Sequence, residues 1–385
     1  MTERMIYLDN AATTFPKAEE VYKAMDMANR NLAVNAGRGS YQLAREANKL
    51  IDDAKELLLR LVNAPNQAKV IFTASVTIAI NEILNGIRFE KNDVVYVSPY
   101  EHNAVARTLR LIEKNKNIKI IEMPLNPENL EIDIERLKYL FSKERPTCVC
   151  STHISNVTGY ILPVQEIFRL AKEFDAITIM DAAQSMGLID INASTLKADF
   201  VAFAGHKTLY GPFGIAGFID VNLIELDEYI VGGTGSDSLN LDMPQLSPNK
   251  YESASSNIVA IAGLKVALER LQSDKTAGFE KKLTEYTFNK LKNIDGITLY
   301  VPKNPEARVS IISFNVEGYK SEDIGMILDQ DYGIAVRTGY HCAAYIHKHL
   351  KDEEFLGTVR IGIGKFNSIE EVDKLASAIS EIITG

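Results

Sequence analysis

The sequence predicts an α/β fold in which a mainly parallel seven-stranded sheet carries helices on both faces and a smaller α+β domain follows. Short apolar runs rich in β-branched residues alternate with longer amphipathic runs, which is the pattern of parallel strands joined by helices. The chain also has 385 residues, more than one hydrophobic core usually organises. We therefore expect a large domain over residues 15–250 and a small domain formed by residues 1–14 and 251–385.

The elements of the large domain are predicted in order along the chain. The strand candidates are residues 69–72, 94–97, 118–122, 147–152, 176–181, 200–204 and 215–219. Helical patterns between them include residues 77–86, 104–114 and 164–174. Residues 232–250, rich in Gly, Ser, Asp and Pro, are predicted to form a long loop, and loops of that length are usually functional or disordered.

The pattern changes after Tyr251, where the small domain is predicted to continue. The expected helices cover about residues 257–272, 279–291 and 368–384, and the expected strands cover residues 297–301, 310–316, 334–337 and 358–363. Ser368 and Glu371 fit a capping box at the start of the last helix.

Composition excludes several classes of protein. With 46% hydrophobic and 24% charged residues the chain should fold, and 42 Lys+Arg against 51 Asp+Glu give a net charge of −9 that does not suggest a polyanion as main ligand. No apolar run approaches the length of a membrane span and the N-terminus has no signal-peptide pattern, so we expect a cytoplasmic protein. The cysteines are too few for a disulfide framework and should be reduced thiols: Cys148, Cys150 and Cys342.

Polar residues directly after the predicted strands are the candidates for a functional site, because ligands of open parallel sheets bind beyond the carboxyl ends of the strands. Four of the six histidines lie at such positions or at their counterpart in the small domain: His102, His153, His206 and His341. Lys207 and Asp181 also follow strands. A lysine and an aspartate in one crevice suit pyridoxal phosphate, which needs a Schiff-base lysine and an acidic partner for its ring nitrogen; an ordinary ion pair is the alternative.

Four segments together resemble the class V aminotransferase superfamily. They are YLDNAATT at residues 7–14, DAAQSMG at 181–187, ADFVAFAGHKTLYGPFGIAGF at 198–218 and VRTGYHCA at 336–343. Within the superfamily they resemble the cysteine desulfurase and selenocysteine lyase family, in the branch with an RxGxHCA loop around the reactive cysteine. The matches extend from residue 7 to about residue 373, which is nearly the whole chain.

The resemblance implies a fold type I transferase that depends on pyridoxal 5'-phosphate and works as a homodimer with shared active sites. Its activity would be the conversion of L-cysteine to L-alanine, with the sulfur left on an enzyme cysteine as a persulfide. A sulfur-acceptor protein would then receive the sulfur for iron–sulfur clusters, thiolated tRNA or related products.

The same resemblance assigns the cofactor contacts. Lys207 would hold the cofactor through a Schiff base and later carry the substrate's α-proton, a role open to a lysine in a buried or cationic environment. Asp181 would pair with the ring nitrogen, Gln184 would donate to the phenolic oxygen, and His102 would stack on the ring. For His102 the alternative is a helix-capping or core histidine.

The cofactor's phosphate would meet the start of the helix near Thr77, where free N–H groups attract an anion. His206 matches a second phosphate contact, and Ser255 matches a residue that reaches the phosphate of the partner subunit. Three motifs depart from the family: Ala204 stands where a serine is usual, residues 73–79 lack a glycine and a glutamate, and residues 254–257 differ. Each lost hydrogen bond would weaken cofactor binding by about 0.5–1.5 kcal/mol.

Substrate recognition and sulfur transfer fall to four further residues. By resemblance, Arg360 would bind the substrate carboxylate with its planar fork, and Asn156 would add a contact to that carboxylate or to the cofactor. Cys342 is predicted to attack the substrate sulfur, and Arg337 to stabilise the thiolate or an intermediate. The alternatives are a surface strand arginine for Arg360 and a structural thiol for Cys342.

A metal site is a competing interpretation of the cysteine loop. The spacing H-C-x4-H-x-H could hold zinc through His341, Cys342, His347 and His349, but it matches no common ligand pattern, so no metal is predicted. His341 could instead serve as an acid or base.

Two groups of alternative functions remain open from the sequence. A selenocysteine lyase, another C–S lyase, a transaminase or an epimerase would use the same scaffold. A cofactor-poor sulfur-binding or metal-binding protein is the alternative outside enzymes, because the phosphate motifs are altered.

Overall fold

Seven strands between residues 69 and 220 form a single sheet in the computed structural model, which describes residues 5–36, 39–235, 239–273 and 278–385. The elements up to residue 220 are, in chain order, β1 (Ile6–Tyr7), α1 (Glu19–Asn31), α2 (Gln42–Leu61), β2 (Lys69–Thr73), α3 (Val76–Gly86), β3 (Val94–Val97), α4 (Asn103–Lys116), β4 (Lys119–Glu122), α5 (Ile134–Lys143), β5 (Cys148–Thr152), α6 (Val164–Lys172), β6 (Ile177–Asp181), α7 (Ala193–Leu196), β7 (Phe200–Ala204) and β8 (Ala216–Asp220). All seven predicted strands are present within about one residue of their predicted bounds.

The strand order in this sheet is β2-β8-β7-β6-β5-β3-β4. The five strands from β7 to β4 are parallel to one another, and β8 runs antiparallel to both of its neighbours. The prediction of an α/β fold with a mainly parallel sheet is therefore confirmed.

Both faces of the sheet are buried, which explains why its strands are continuous apolar runs. Neighbouring residues of β5 alternate between two cores: Val149 packs with helices α2, α5 and α6, and Cys148 and Cys150 pack with α3 and α4. Helices therefore cover both faces, as predicted. All three cysteines are free, which agrees with the expectation of reduced thiols.

The remaining elements follow a long connection after β8. They are α8 (Ile258–Ser273), α9 (Phe279–Leu291), β9 (Ile297–Tyr300), β10 (Ile311–Val316), α10 (Ser321–Tyr332), β11 (Ile334–Ala335), β12 (Arg337–Gly339), α11 (Ala344–Leu350), β13 (Thr358–Gly362) and α12 (Ile369–Thr384). Residues 232–235 and 239–250 contain no helix or strand, in line with the predicted loop, while residues 236–238 of that loop lie outside the described residues.

A second sheet organises the C-terminal part of the chain. Its strands follow the order β12-β13-β10-β9 and all pairs are antiparallel. The N-terminal strand β1 pairs in parallel with β11, and Ile6 and Leu8 lie in the same core as Phe314 and Val359. The first residues of the chain therefore pack with its last third.

Helix α8 packs against α1 and α2, and its side chains Ile261 and Leu264 belong to a core of the large sheet. The sequence division at residue 251 assigns this helix to the small domain and so separates it from the residues against which it is buried. We propose that the second unit begins after Ser273, since burial against a shared core defines a domain better than a change of pattern.

The capping box predicted for α12 is present. The Ser368 Oγ accepts from the Glu371 backbone N–H at 3.3 Å, and the Glu371 carboxylate accepts from the Ser368 backbone N–H at 3.2 Å. Among the helices of the described ranges, none is long and apolar enough to cross a membrane.

Candidate active site

Four parallel strands deliver polar residues to one edge of the large sheet. Asp181 ends β6, Thr152 ends β5, and β7 is followed at once by Gly205, His206 and Lys207. Beyond β3 the chain reaches His102, which begins helix α4. Because the carboxyl ends of parallel strands meet at the same edge, these side chains lie around one crevice.

The side chain of Lys207 is half-buried and faces this crevice. Burial lowers the pKa of Lys207. The carboxylate of Asp181 opposes this shift, and the guanidinium groups of Arg360 and Arg337 add to it, while Cys342 also lies within electrostatic range. A lysine with a lowered pKa is neutral more of the time and can act as a nucleophile or base. The fold thus brings five of the predicted site residues within electrostatic range of one another.

Asp181 is buried and carries no compensating cation in direct contact. Its Oδ1 accepts from the Ala183 backbone N–H at 2.9 Å, and no ion pair within 4.0 Å involves it among the described residues. Burial raises its pKa and the charge of Lys207 opposes that rise. A protonated ring nitrogen would supply the missing positive partner, so this carboxylate fits pyridoxal phosphate.

His102 caps helix α4, because its Nδ1 accepts from the Ala104 backbone N–H at 3.0 Å. The alternative of a helix-capping histidine is therefore confirmed for His102. Burial and then the nearby charge of Lys207 lower the pKa of His102 to about 4, so its ring is neutral at pH 7. A cap that fixes a neutral ring beside Lys207 is compatible with stacking on a cofactor, which stays a prediction.

Gln184 and His206 border the same crevice. Gln184 is buried and donates one amide hydrogen to the Ala11 carbonyl at 2.7 Å, which leaves its second amide hydrogen for a ligand. The ring of His206 stacks on Phe213 with centroids 4.5 Å apart, and its Nδ1 is buried without a partner among the described residues. Such an orphaned ring nitrogen suits a phosphate or another polar ligand group.

Two predicted cofactor residues take no part in these interactions. Thr77 is exposed in the first turn of α3, whose capping residue Ser75 already accepts from the Ile78 N–H. Ser255 is exposed on a loop, accepts from Asn35 Nδ2 at 3.2 Å and lines a separate cavity of about 560 Å³. Their contacts with cofactor phosphate remain predictions.

Cys342 lies beside Arg337 on a loop with an unusual backbone. Its Sγ is 3.4 Å from Arg337 Nη2, and its carbonyl accepts from the Asn103 N–H at 2.7 Å. His341 and Cys342 have φ angles of 46° and 57°, so two successive residues with side chains adopt the left-handed conformation. Asn156 donates its side-chain N–H to the His341 carbonyl at 2.7 Å, which ties this loop to the end of β5.

Arg360 is 1% exposed, so the alternative of a surface strand arginine is wrong. Its Nη2 donates to Asp9 Oδ1 at 2.7 Å and its Nη1 donates to the Asn156 carbonyl at 2.9 Å. Its Nε is buried without a partner among the described residues. Arg337 sits directly opposite Arg360 in the β12–β13 pair, so two like charges face each other and favour an anion nearby.

Two histidines of the alternative zinc cluster have carboxylate partners in the structure. His347 Nδ1 bonds Asp352 at 2.6 Å, and His349 Nε2 lies 3.7 Å from Glu122. No group of three or more candidate metal ligands is found in the described part of the chain. Burial lowers the pKa of His341 to about 2, so this residue is a neutral hydrogen-bonding group and a poor proton donor at pH 7.

Two residues of the site carry no role in the sequence prediction. Asp9 lies inside the YLDNAATT segment, yet only the fold brings it to Arg360, 351 residues away. Glu101 is fully buried below His102; its Oε1 accepts from Ser98 Oγ and from the Thr152 N–H, both at 2.5 Å. For Glu101, the only indication in the sequence is its position directly before His102.

A lysine-centred crevice at the carboxyl edge of a mainly parallel sheet defines the class of protein as a fold type I transferase of the pyridoxal phosphate type. Residues 6–375 match the family described as aminotransferase class-V. A probable cysteine desulfurase of Methanothermobacter thermautotrophicus is 34% identical over 98% of this chain and 94% of the relative, and one of Pyrococcus abyssi is 31% identical over 100% and 95%. The apo cysteine desulfurase structure of Thermococcus onnurineus NA1 superposes with a TM-score of 0.90 at 28% identity, covering 99% of this chain and 95% of that one.

The chain belongs to the cysteine desulfurase family of class-V aminotransferases.

Proposed function

We propose that this protein is a pyridoxal-phosphate-dependent cysteine desulfurase that converts L-cysteine to L-alanine and retains the sulfur as a persulfide on Cys342. One observation carries the proposal: the half-buried Lys207 has the carboxylate of Asp181, the guanidinium groups of Arg360 and Arg337 and the sulfur of Cys342 as neighbours. These groups supply a base, a cofactor anchor, an anion site and a nucleophile in a single crevice.

Pyridoxal phosphate, when bound, supplies an electron sink that stabilises negative charge at the substrate's α-carbon. Lys207 would bind the cofactor through its Nζ and, once released, move the α-proton at that nitrogen. Its lowered pKa keeps a larger neutral fraction than an exposed lysine has, so Nζ can accept a proton. Asp181 would hold the ring nitrogen in its protonated form, and His102 and Gln184 would orient the ring.

The substrate carboxylate would bind between Arg360 and Arg337. Arg360 is oriented by Asp9 and by the Asn156 carbonyl, and its Nε has no partner among the described residues, so this N–H can donate to a ligand. Two facing guanidinium groups create a positive field that an anion relieves, which gives the carboxylate a reason to occupy that position.

Cys342 would then attack the substrate's sulfur. A bond forms between the Cys342 sulfur and the substrate sulfur while the substrate's C–S bond breaks, and its electron pair stays on the carbon, which is protonated to the methyl group of alanine. The thiol of Cys342 and L-cysteine thus become a persulfide and L-alanine, with no external oxidant or reductant. Arg337 would hold the sulfur in place during the attack, since its Nη2 donates to Cys342 Sγ at 3.4 Å.

A homodimer with shared sites is part of the proposal. Residues of the connection before α8 expose large apolar side chains, including Leu239 and Leu241, and the backbone of Gly233 in that connection accepts from the Ala254 N–H next to Ser255. A second copy that covers these leucines would bring Ser255 close to its partner's site. A reducing compartment such as the cytoplasm would keep Cys342 as a thiol.

The proposal is tested by incubating the cofactor-loaded protein with L-cysteine and measuring alanine together with protein-bound persulfide. We expect one persulfide per chain without reductant and continuous alanine release with reductant. Cys342→Ser should abolish both while the cofactor's visible absorbance is retained, and Cys148→Ala, which removes a buried thiol, should leave both intact.

Other outcomes would contradict the proposal. Release of pyruvate and ammonia instead of alanine would assign a different C–S lyase. Turnover in the Cys342→Ser variant would exclude that thiol as nucleophile, and failure to load cofactor would favour a binding protein. Lys207→Ala should lose the absorbance band of the bound cofactor.

A further inference from the structure

The loop that carries Cys342 is held in an unfavourable backbone conformation. His341 and Cys342 both have positive φ angles, 46° and 57°. Residues with a Cβ rarely adopt this conformation twice in succession, and such a geometry persists only where surrounding contacts impose it. The contacts around His341 therefore impose this conformation on the loop.

His341 is fixed from the side of strand β13. The His341 Nε2 atom lies 2.8 Å from Thr358 Oγ1, and its N–H donates to the Thr358 carbonyl at 3.1 Å. Just before Thr358, an added Cβ at Gly357 would lie 2.4 Å from the carbonyl atoms of Gly339. The segment that ends at Thr358 therefore packs directly under the cysteine loop.

A buried His–Asp pair lies behind His341. His347 and Asp352 are both almost fully buried, and His347 Nδ1–H donates to Asp352 Oδ2 at 2.6 Å. The His347 ring contacts the ring of Tyr340 edge to face at 5.1 Å between centroids and lies 6.0 Å from the ring of His341. The pair thus touches the two residues that precede Cys342 and does not itself reach the reacting atoms.

Asp352 in turn anchors the segment that leads to Thr358. Its backbone carbonyl accepts from the N–H groups of Phe355 at 3.1 Å and Gly357 at 3.2 Å. The side chain of Asp352 holds His347 and its backbone holds the approach to Gly357, so one residue links both supports of the loop.

We propose that the His347–Asp352 pair positions the cysteine loop, holding His341 and Cys342 in the left-handed conformation that aims the Cys342 thiol into the crevice. The two residues are positioning residues, acting through the Tyr340 and His341 rings. This positioning role rests on the proposed function only in its predicted effect on turnover. The order of the loop is measured separately, by hydrogen exchange.

Two substitutions at Asp352 separate the hydrogen bond from mere occupancy of the space. Asp352→Ala removes the acceptor for His347, whereas Asp352→Asn keeps an acceptor oxygen in nearly the same place. His349→Asn is the matched control. His349 lies on α11 together with His347, but its ring is near the surface, where Nε2 lies 3.7 Å from a carboxylate oxygen of Glu122. If Asp352→Ala does not fold, His347→Phe removes the donor and keeps an aromatic ring.

Hydrogen–deuterium exchange of peptides covering residues 340–345 reports on the loop in the cofactor-loaded protein. We expect Asp352→Ala to speed exchange there about tenfold, the effect of losing one hydrogen bond of about 1.4 kcal/mol. Its kcat for alanine formation should fall by a similar factor while KM for cysteine and cofactor affinity stay within about twofold. Asp352→Asn and His349→Asn should resemble the unchanged protein.

Three results would overturn the proposal. The first is unchanged exchange in residues 340–345 of a folded Asp352→Ala protein. The second is faster exchange throughout the second unit, with KM, cofactor affinity and kcat all impaired, which would indicate general destabilisation. The third is an Asp352→Asn variant as impaired as Asp352→Ala. If the unchanged protein lacked desulfurase turnover, the proposed function would fail while the exchange comparison still decided this proposal.

Discussion

The guanidinium of Arg360 has two of its five N–H donors engaged within the protein. Asp9 Oδ1 accepts from Nη2 and the Asn156 carbonyl accepts from Nη1, so these two bonds fix the orientation of the guanidinium group. A substrate carboxylate would have to bind the remaining N–H groups. Because Arg360 is buried, water cannot replace a lost hydrogen bond from Asp9, so a substitution at Asp9 should change the orientation of the guanidinium group.

Replacing Asp9 with alanine should therefore raise KM for L-cysteine and leave kcat nearly unchanged. We expect about a tenfold rise, corresponding to about 1.4 kcal/mol, because one charge-assisted hydrogen bond that orients the fork is lost. Steady-state alanine formation measures both constants. Asp373→Ala, which removes an exposed carboxylate paired with Lys290, is the control. A fall in KM would mean that Asp9 competes with the substrate for Arg360 and does not position it.

Glu101 is a buried acid close to the cofactor crevice. One of its oxygens accepts two hydrogen bonds and Oε2 has no partner among the described residues. Burial raises its pKa from 4.5 to about 8. The folded protein therefore keeps the Glu101 proton across a range in which the unfolded chain has already released it.

The sign of the resulting pH dependence follows from this difference in bound protons. Between about pH 4.5 and 8 the folded state binds more protons than the unfolded state at Glu101, so the free energy of unfolding falls as pH rises through that window. Glu101→Gln removes this contribution. We expect the variant to lose less stability than the unchanged protein between pH 5 and 8 in urea unfolding at equal cofactor occupancy. Parallel pH curves for the two proteins would contradict the raised pKa.

Helix α12 illustrates how local sequence determines an element. Ser368 and Glu371 bond each other's backbone N–H groups, and the acidic residues Glu370 and Glu371 lie in the first turn, where the helix dipole favours them. Buried side chains such as Leu375 and Ile379 then attach this helix to the core of the second sheet.

Ser368→Ala should lower the free energy of unfolding by about 1 kcal/mol, because the first turn of α12 loses its side-chain acceptor. Urea denaturation measures the change. Ser377→Ala on the exposed side of the same helix is the control and should be neutral or slightly stabilising, since alanine is the better helix former. Equal effects of the two substitutions would show that the cap contributes nothing.

For the whole molecule, the exposed apolar residues of the long connection carry the argument for association. Leu239 is 97% exposed and Leu241 is 100% exposed. Two leucines exposed this far and two residues apart are candidates for the surface that a second copy would cover. The connection also reaches the segment of Ser255 through the Ala254 N–H, which donates to the Gly233 carbonyl, so the proposed dimer would couple association to cofactor binding.

Sedimentation analysis should give twice the 42.8 kDa mass of the chain. Leu239→Asp combined with Leu241→Asp should shift the protein toward monomer and weaken cofactor binding, because burying a carboxylate in an apolar interface is costly. Leu111→Asp, at an exposed leucine on α4, should leave the mass unchanged. A double variant that stays dimeric would exclude this connection as the interface.

The sequence alone predicted the large sheet well because its strands are buried on both faces and so appear as uninterrupted apolar runs, such as Phe200–Ala204. It predicted α9 to the residue and the cap of α12, because both depend on neighbours a few residues apart. It placed α8 in the small domain, whereas Ile261 and Leu264 of this helix pack in a core of the large sheet, because an apolar helix carries no sign of the partner against which it packs.

The sequence by itself determined the family, the α/β class and the residue types of the candidate site, because motifs and periodicity are local properties. Tertiary structure decided that Asp9 pairs with Arg360, that His347 pairs with Asp352 below the cysteine loop, and that Glu101 is buried with its Oε2 unpartnered among the described residues. The first of these contacts joins residues 351 positions apart, and all three depend on burial, which arises only when the cores have formed.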